Sequence, residues 1–162
     1  MPRVCQATDM RPTMDDLGEV IGYVLKRAQS ALRVRIDEAL RPLGLTAPQY
    51  ACLELLQRTP GISGSELARG AFVTRQTMNV VLRGLQDRGL VTRADEAPSG
   101  RARPVTLTEP GTRLLAEASG RVAAIDELMI SGLSEAERLD LLDYLGRCIT
   151  ELEGRTDVPS PD

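Results

Sequence analysis

The chain has 162 residues, of which 42% are apolar and 27% charged, and its formal net charge at pH 7 is -3. This length and composition are typical of a soluble globular protein with a single core, and they make two independent cores improbable on size alone. No run of about 18 apolar residues and no continuous apolar N-terminal stretch is present, so we expect a cytoplasmic protein without a membrane span.

The cysteine and histidine content limits the possible chemistry. Cys5, Cys52 and Cys148 are odd in number and far apart, which argues against a disulfide framework and against a zinc site. The chain has no histidine, so the commonest general base and metal ligand are missing. We therefore expect no metal and no cofactor, and an enzyme would have to use carboxylates or a lone thiol.

The N-terminal part of the chain predicts a polar tail followed by a long helix. Residues 1–14 and 154–162 are polar and contain prolines, which is typical of flexible tails. Between Asp15 and Leu40 the apolar residues recur every three or four positions, which predicts one long amphipathic helix. Pro42 then predicts its end.

Capping residues predict three further helices. Thr46 is the predicted N-cap of the second helix, and Ser63 has the capping-box spacing that opens a short third helix. A turn around Gly70 is predicted to lead to Thr74, the N-cap of a fourth helix that ends at Gly89. Four apolar residues of the fourth helix are predicted to face the core: Met78, Val81, Leu82 and Leu85.

A hairpin and two helices complete the predicted order. Strand-like segments at 91–93 and 104–107 flank a loop, Thr108 is the predicted N-cap of a fifth helix, and Ser134 has the capping-box spacing of a sixth. The predicted fold is thus mainly α with a small β-hairpin wing. Both late helices carry apolar stripes, at Leu114, Leu115, Val122, Ile125 and Met129 and at Leu141, Leu142, Leu145, Cys148, Ile149 and Leu152.

The charge is unevenly distributed. Residues 62–108 contain seven arginines and four acidic residues, a net charge of +3, whereas the remainder of the chain carries -6. The same segment predicts a short helix, a tight turn, a longer helix and a hairpin, which is the layout of a winged helix-turn-helix. The middle third could therefore bind a polyanion such as DNA.

The fourth helix has an outer face suited to base recognition. Arginine, glutamine and asparagine side chains can make paired hydrogen bonds with guanine or adenine edges in the major groove. Helical geometry places five residues outward, with Thr77 near the boundary: Arg75, Gln76, Asn79, Val80 and Arg83. The alternative for this helix alone is a solvated face that binds nothing.

The predicted hairpin carries two further basic residues. Arg101 and Arg103 are separated by one residue, so on an extended strand they lie on the same side. A hairpin tip is thin enough to enter the minor groove or to lie along its phosphates. A solvated surface loop is the alternative.

Three stretches of the sequence resemble the MarR family of bacterial transcription regulators. They read "LTAPQYACLELL" at 45–56, "SGSELARGAFVTRQTMNVVLRGLQDRGLV" at 63–91 and "GRARPVTLTEPG" at 100–111. The order of predicted helices extends the resemblance over about residues 15–153.

The resemblance implies a homodimer that binds near-palindromic double-stranded DNA. It implies a dimerisation helix at 15–44, a winged helix-turn-helix at 45–108 and C-terminal dimerisation helices at 109–153. Many members are repressors that small aromatic acids, drugs or oxidants release from DNA. The residues predicted to contact DNA are Ser63, Ser65, Thr74, Arg75, Gln76, Thr77, Asn79, Val80, Arg83, Arg101 and Arg103.

The sequence departs from the family pattern in the wing. The family's wing usually has an Asp-x-Arg signature, and here Ser99 occupies the aspartate position while Arg101 keeps the arginine. The salt bridge that braces the wing is therefore missing, and Gly100 loosens the tip further.

The resemblance also bears on how the protein is regulated. The peroxide sensors of the family carry a reactive cysteine where this chain has Gly22, before Tyr23, which argues against that mechanism. Cys52 and Cys148 fit packing roles better than sensing roles. A ligand cleft between the first, second and fifth helices would bring Arg27 or Tyr50 to an anionic aromatic effector, although both residues also have ordinary surface or core explanations.

Two other classes of function are weaker alternatives. A winged helix that binds protein instead of DNA would favour an apolar or acidic recognition face, and the predicted face is neither. An enzyme is the weakest alternative, because the chain lacks a nucleophile motif, a phosphate-binding glycine loop and a clustered metal set.

Overall fold

The computed structural model describes residues 18, 20–93 and 104–154 of the chain. Within these residues it is mainly helical with one antiparallel hairpin, which confirms the predicted fold class. The helices are α1 (Ile21–Leu40), α2 (Ala47–Arg58), α3 (Gly64–Gly70), α4 (Arg75–Asp87), α5 (Glu109–Met129) and α6 (Glu135–Gly154). The strands are β1 (Val91–Arg93) and β2 (Val105–Leu107), and a 3-10 turn at Arg41–Leu43 follows α1.

The chain divides into two compact units. The first ends at Val122, within α5, and contains the helices from α1 to α4 and the hairpin. The second begins at Ala123 and contains the last turns of α5 and all of α6.

The core of the first unit is built from leucine, valine and methionine. All four residues predicted to face inward on α4 are buried, as are Val91 of β1 and Val105 of β2. Burial of these apolar side chains is the main term that stabilises the unit. The largest completely buried side chains are Leu40, Leu53, Leu67, Met78, Leu85, Leu115 and Cys52.

The N-caps predicted for the helices after α1 are confirmed by their hydrogen bonds. The backbone N–H of Gln49 donates to Thr46 Oγ1, and the Gln49 side chain accepts from the Thr46 N–H, so a capping box opens α2. Capping boxes at Ser63 and Ser134 open α3 and α6 in the same way. These reciprocal bonds satisfy backbone donors that the first turn of a helix leaves free.

One detail of the prediction is wrong. Helix α1 begins at Ile21 and not at Asp15, because Val20 has extended backbone angles and the glycines nearby favour helix weakly. The predicted turn around Gly70 is present: Gly70 is the last residue of α3, and the left-handed residue of the turn is Phe72. Of the predicted apolar stripes, Leu115 and Val122 of α5 are buried, whereas Met129 is exposed and α6 buries none of its residues.

The hairpin pairs β1 with β2 in antiparallel register. Val91 lies opposite Leu107 and Arg93 lies opposite Val105. Residues 94–103, which include the predicted DNA contacts Arg101 and Arg103 together with Ser99, lie outside the residues that the structure describes.

Candidate nucleic-acid interface

Helix α4 has one buried face and one exposed polar face. Met78, Leu82 and Leu85 are almost completely buried. All six predicted outward and boundary residues are exposed: Arg75, Gln76, Thr77, Asn79, Val80 and Arg83. The apolar face holds the helix to the core, and its polar face remains accessible to a macromolecule.

The N-terminus of α4 is held by two threonines. The Thr77 backbone N–H donates to Thr74 Oγ1 at 3.1 Å, and the two hydroxyl oxygens lie 2.9 Å apart. Thr74 and Thr77 therefore use part of their hydrogen-bonding capacity within the helix start. This cap fixes the position of the first turn, where Arg75 and Gln76 project.

The start of α3 is held in the same manner. Ser63 Oγ donates to Glu66 Oε2 at 2.5 Å, and the Ser63 backbone N–H donates to the same oxygen at 2.9 Å. These two hydrogen bonds hold the pKa of the Glu66 carboxyl below its usual value. The hydroxyl of Ser63 is thus engaged, whereas Ser65 is half-buried in the first turn of α3.

The C-terminus of α4 is tied to two distant segments. Arg88 donates from Nη1 to the Gly44 carbonyl at 2.7 Å and from Nη2 to the Leu43 carbonyl at 3.2 Å. The Thr108 hydroxyl donates to the Gly89 carbonyl at 2.7 Å. Arg88, one arginine of the basic middle third, therefore ties the end of α4 to the turn that follows α1.

A surface groove of about 410 Å³ lies between α4 and β1. Its walls are Asn79, Arg83, Gln86 and Arg93. All four side chains supply hydrogen-bond donors, and the two arginines add positive charge. This combination suits the edge of a base or a phosphate group.

Sequence reasoning missed Gln86 and Arg93. Gln86 lies three residues after Arg83 and seven after Asn79, so helical spacing alone places it on the same stripe. Arg93 ends β1, and only the packing of the hairpin against α4 brings it to the groove.

The two candidate ligand residues lie in different surroundings. Arg27 lines an open surface groove of about 790 Å³ whose walls are residues of α1. Tyr50 of α2 is half-buried and packs against the hydrophobic core. Tyr50 is not among the residues lining the groove at Arg27.

The described cysteines differ in environment. Cys52 is completely buried, and burial raises the pKa of its thiol to about 12. Cys148 of α6 is exposed, and Cys5 lies outside the described residues. The environment of Cys52 is that of a packing residue, because a reactive cysteine has a lowered pKa and some access to solvent.

The described ranges contain neither a membrane-spanning helix nor a metal-binding cluster. In residues 20–93 and 104–154 no helix is long and apolar enough to cross a membrane. Among the same residues no cluster of three or more histidine, cysteine or acidic side chains could hold a metal ion.

Comparison with known proteins adds a family and several relatives. A model described as MarR family matches residues 43–102. The HTH-type transcriptional repressor Rv2887 of Mycobacterium tuberculosis is 43% identical over 129 residues, which are 78% of this chain and 93% of that repressor.

Solved structures of similar proteins include complexes with DNA and with small molecules. Rv2887 of Mycobacterium tuberculosis in complex with DNA has a TM-score of 0.64 at 39% identity, and its complex with salicylic acid has a TM-score of 0.67 at 41% identity. Each match covers 79% of this chain, with 96% of the DNA-bound chain and 95% of the salicylate-bound chain. The repressor CouR bound to a 23-mer DNA duplex has a TM-score of 0.75 at 30% identity over 85% of this chain and 98% of CouR.

Proposed function

The chain belongs to the MarR family, and from this premise we propose that it is a homodimeric repressor of transcription that binds a near-palindromic operator. The observation that carries the proposal is the polar, basic outer face of α4 on a helix anchored at both ends. Relatives that are named repressors, two of them solved with DNA, support it. The polar and positive face gives no reason to prefer a protein partner.

We propose that α4 lies in the major groove and reads base edges. The side chains able to form paired hydrogen bonds with bases are Arg75, Gln76, Asn79 and Arg83, and all four are exposed. Thr74, Thr77 and Val80 lie on or beside the same face and would contact the backbone or thymine methyl groups. Ser63 and Ser65, at the start of α3, would lie next to the phosphates.

The wing is proposed to complete the DNA contacts. Arg93 lies at the edge of the groove beside α4, and the chain continues from it towards Arg101 and Arg103. As charges near phosphate, these arginines would raise affinity for any duplex. The sequence has Ser99 in place of the usual bracing aspartate, so we expect Arg101 to be less strictly positioned than in other members.

Exposed apolar surface supports a dimer. Ile21 is 79% exposed on α1, and Leu142 and Leu152 of α6 are 68% and 77% exposed. Large apolar side chains on long helices are stabilised when a second copy covers them. We therefore propose that residues 15–44 and 109–153 form the dimer contacts and residues 45–108 the DNA-binding domain.

Release by a small aromatic or anionic molecule is the second part of the proposal. Support comes from Rv2887, whose complex with salicylic acid resembles this chain. Arg27 or Tyr50 is the proposed contact, the first for a carboxylate and the second for an aromatic ring. The chain would act by binding rather than by catalysis, in the cytoplasm where its DNA lies.

Binding to the DNA upstream of the chain's own gene tests the proposal. Fluorescence anisotropy over a range of salt concentrations should show tighter binding to this duplex than to a random one, and a negative slope of log K against log salt. Arg101→Ala should flatten the slope by about one unit per protomer, since each neutralised phosphate releases somewhat under one counterion. Sodium salicylate should weaken the binding. Equal, weak affinity for both duplexes would contradict a role as a specific repressor.

A further inference from the structure

Phe72 is the most exposed large apolar residue that the structure describes. Its side chain is 95% exposed, in the turn between α3 and α4. An aromatic side chain so fully exposed contributes almost nothing to the packing of this chain. Its presence therefore needs a reason outside the fold of one protomer.

The backbone at Phe72 is also one that glycine adopts more easily. Three of the described helix ends share one motif. In this motif the backbone N–H of the left-handed residue donates to the carbonyl oxygen three positions earlier. The N–H of the next residue donates to the carbonyl oxygen five positions earlier. The pairs are Gly44 to Arg41 with Leu45 to Leu40, Phe72 to Arg69 with Val73 to Ala68, and Gly89 to Gln86 with Leu90 to Leu85. The left-handed residue has φ 63° at Gly44, 67° at Gly89 and 54° at Phe72.

Phe72 is the unusual residue among these three turns. Two of them use glycine, which has no Cβ to oppose a positive φ. The third has the same hydrogen bonds and carries a phenylalanine, which strains the backbone without packing against the chain. Backbone strain that is kept beside a binding surface indicates a functional role.

The location of Phe72 connects it to the DNA-binding face. It precedes the N-cap Thr74 by two residues, and Arg75 and Gln76 follow in the first turn of α4. The phenyl group has no charge and no donor, so it cannot bind phosphate as an arginine does. The apolar group that base pairs present in the major groove is the 5-methyl group of thymine.

We propose that Phe72 is a specificity-determining residue that packs on a thymine methyl group in each half-site of the operator. This inference rests on the proposed function, because it requires α4 to enter the major groove. Phe72 thereby adds an apolar contact to the hydrogen bonds of the polar face, and it selects thymine over cytosine at one position.

The test uses duplexes selected from a randomised library by the wild-type protein. Deoxyuridine replaces each thymine in turn, which removes one methyl group and leaves base pairing unchanged. Wild-type protein, Phe72→Gly and Phe72→Leu are compared on each duplex and on a random one. Phe72→Gly should keep or raise the melting temperature, since glycine suits the positive φ, so a loss of binding is not a loss of fold.

We expect wild-type affinity to fall about fourfold for each methyl group lost at one thymine position per half-site, or about fifteenfold when both are replaced. Phe72→Gly should bind the thymine duplex about as weakly as the wild-type protein binds the doubly replaced duplex. Its affinity should not change when deoxyuridine replaces thymine at that position. Phe72→Leu should keep part of the sensitivity, and affinity for random DNA should not change.

Other outcomes separate the possible failures. If the wild-type protein selects no duplex, the proposed function itself fails. If it selects a duplex that Phe72→Gly binds equally well, only the role of Phe72 is overturned. Equal losses on selected and random DNA, without deoxyuridine sensitivity, would overturn base reading and place the ring on the sugar-phosphate backbone. A change in the light-scattering mass of Phe72→Gly would overturn the proposed thymine contact and assign Phe72 to a contact between protein chains.

Discussion

Gly111 illustrates how a single residue can set the approach of two elements. In the first turn of α5, a Cβ at this position would lie 2.0 Å from the carbonyl oxygen of Leu90 and 3.0 Å from its carbonyl carbon. The same Leu90 oxygen accepts the backbone N–H of Thr108 at 3.1 Å. The absence of a side chain at Gly111 therefore allows α5 to begin directly against the segment that enters the hairpin.

We predict that Gly111→Ala lowers the free energy of unfolding by about 1 to 3 kcal/mol, because backbone atoms must move to accept the methyl group. Gly120→Ala, on the same helix, is the matched control, since nothing lies within 4 Å of its Cβ position. The control should gain up to about 1 kcal/mol from helix propensity. Urea unfolding of both variants measures the difference, and equal midpoints would contradict the close approach.

Cys52 leads to a prediction about thiol reactivity. Burial raises the pKa of its thiol to about 12, so at pH 8 almost none of Cys52 is in the thiolate form, which is the reactive one. Iodoacetamide should leave Cys52 unmodified in the folded protein and modify it in urea, as measured by peptide mass spectrometry. Rapid modification of Cys52 without denaturant would contradict its role as a packing residue and reopen it as a redox sensor.

At the scale of elements, helix α4 is held at both ends. The N-cap at Thr74 is local, whereas the C-terminal tie from Arg88 reaches carbonyl oxygens 44 and 45 positions earlier in the sequence. Both ties keep α4 in one orientation against the core. A helix that reads base edges needs such support, because small displacements misplace its hydrogen bonds.

Removal of the distant tie should affect both stability and DNA recognition. We predict that Arg88→Met costs about 1 kcal/mol of unfolding free energy, since the exposed arginine makes two charge-assisted bonds that solvent partly screens. The control is Arg113→Met, whose exposed ion pair with Glu109 stays within α5 and should contribute about 0.5 kcal/mol or less. Specific DNA binding should weaken for Arg88→Met alone, and equal behaviour of the two variants would argue against the tie.

The outer face of α4 has its own prediction. Asn79→Ala and Arg83→Ala should each weaken binding to the operator by about 1 to 3 kcal/mol, with a smaller effect on random DNA, if each side chain reads a base. Both side chains are exposed, so the fold should tolerate the changes. Anisotropy titrations with both duplexes distinguish the roles. Equal losses on the two duplexes would assign Asn79 and Arg83 to phosphate contacts.

At the scale of the whole molecule, unburied apolar surface is the dominant feature. Helix α6 buries none of its residues, and the exposed apolar residues of α1 include Ile21, Val24, Leu25 and Val34. A single chain gains little from this surface, whereas a dimer gains the free energy of removing it from water.

We predict a mass in light scattering near twice the 17.6 kDa of one chain. Leu142→Glu and Leu152→Glu should lower the mass towards that of a monomer and weaken operator binding, because a charge would have to be buried in the dimer contact. Arg147→Glu is the control, since its ion pair with Asp143 lies along α6 on the side opposite to the apolar stripe. A monodisperse wild-type monomer at micromolar concentration would contradict the dimer.

The sequence by itself determined the features that depend on residues a few positions apart. The N-caps at Thr46, Ser63, Thr74 and Ser134 and the inward stripe of α4 were predictable, because capping boxes and helical periodicity are local. The hairpin after Gly89 was predictable for the same reason. The prediction failed where the local signal was ambiguous, at the start of α1.

Only the tertiary structure decided which distant residues meet. It assigned Arg88 to the carbonyl groups of Leu43 and Gly44, and it brought Arg93 of β1 beside Asn79 and Arg83 of α4. It also brought the start of α5 so close to the Leu90 carbonyl group that only glycine fits at position 111. These contacts depend on how helices and hairpin pack around a shared core, and no spacing along the chain encodes that packing.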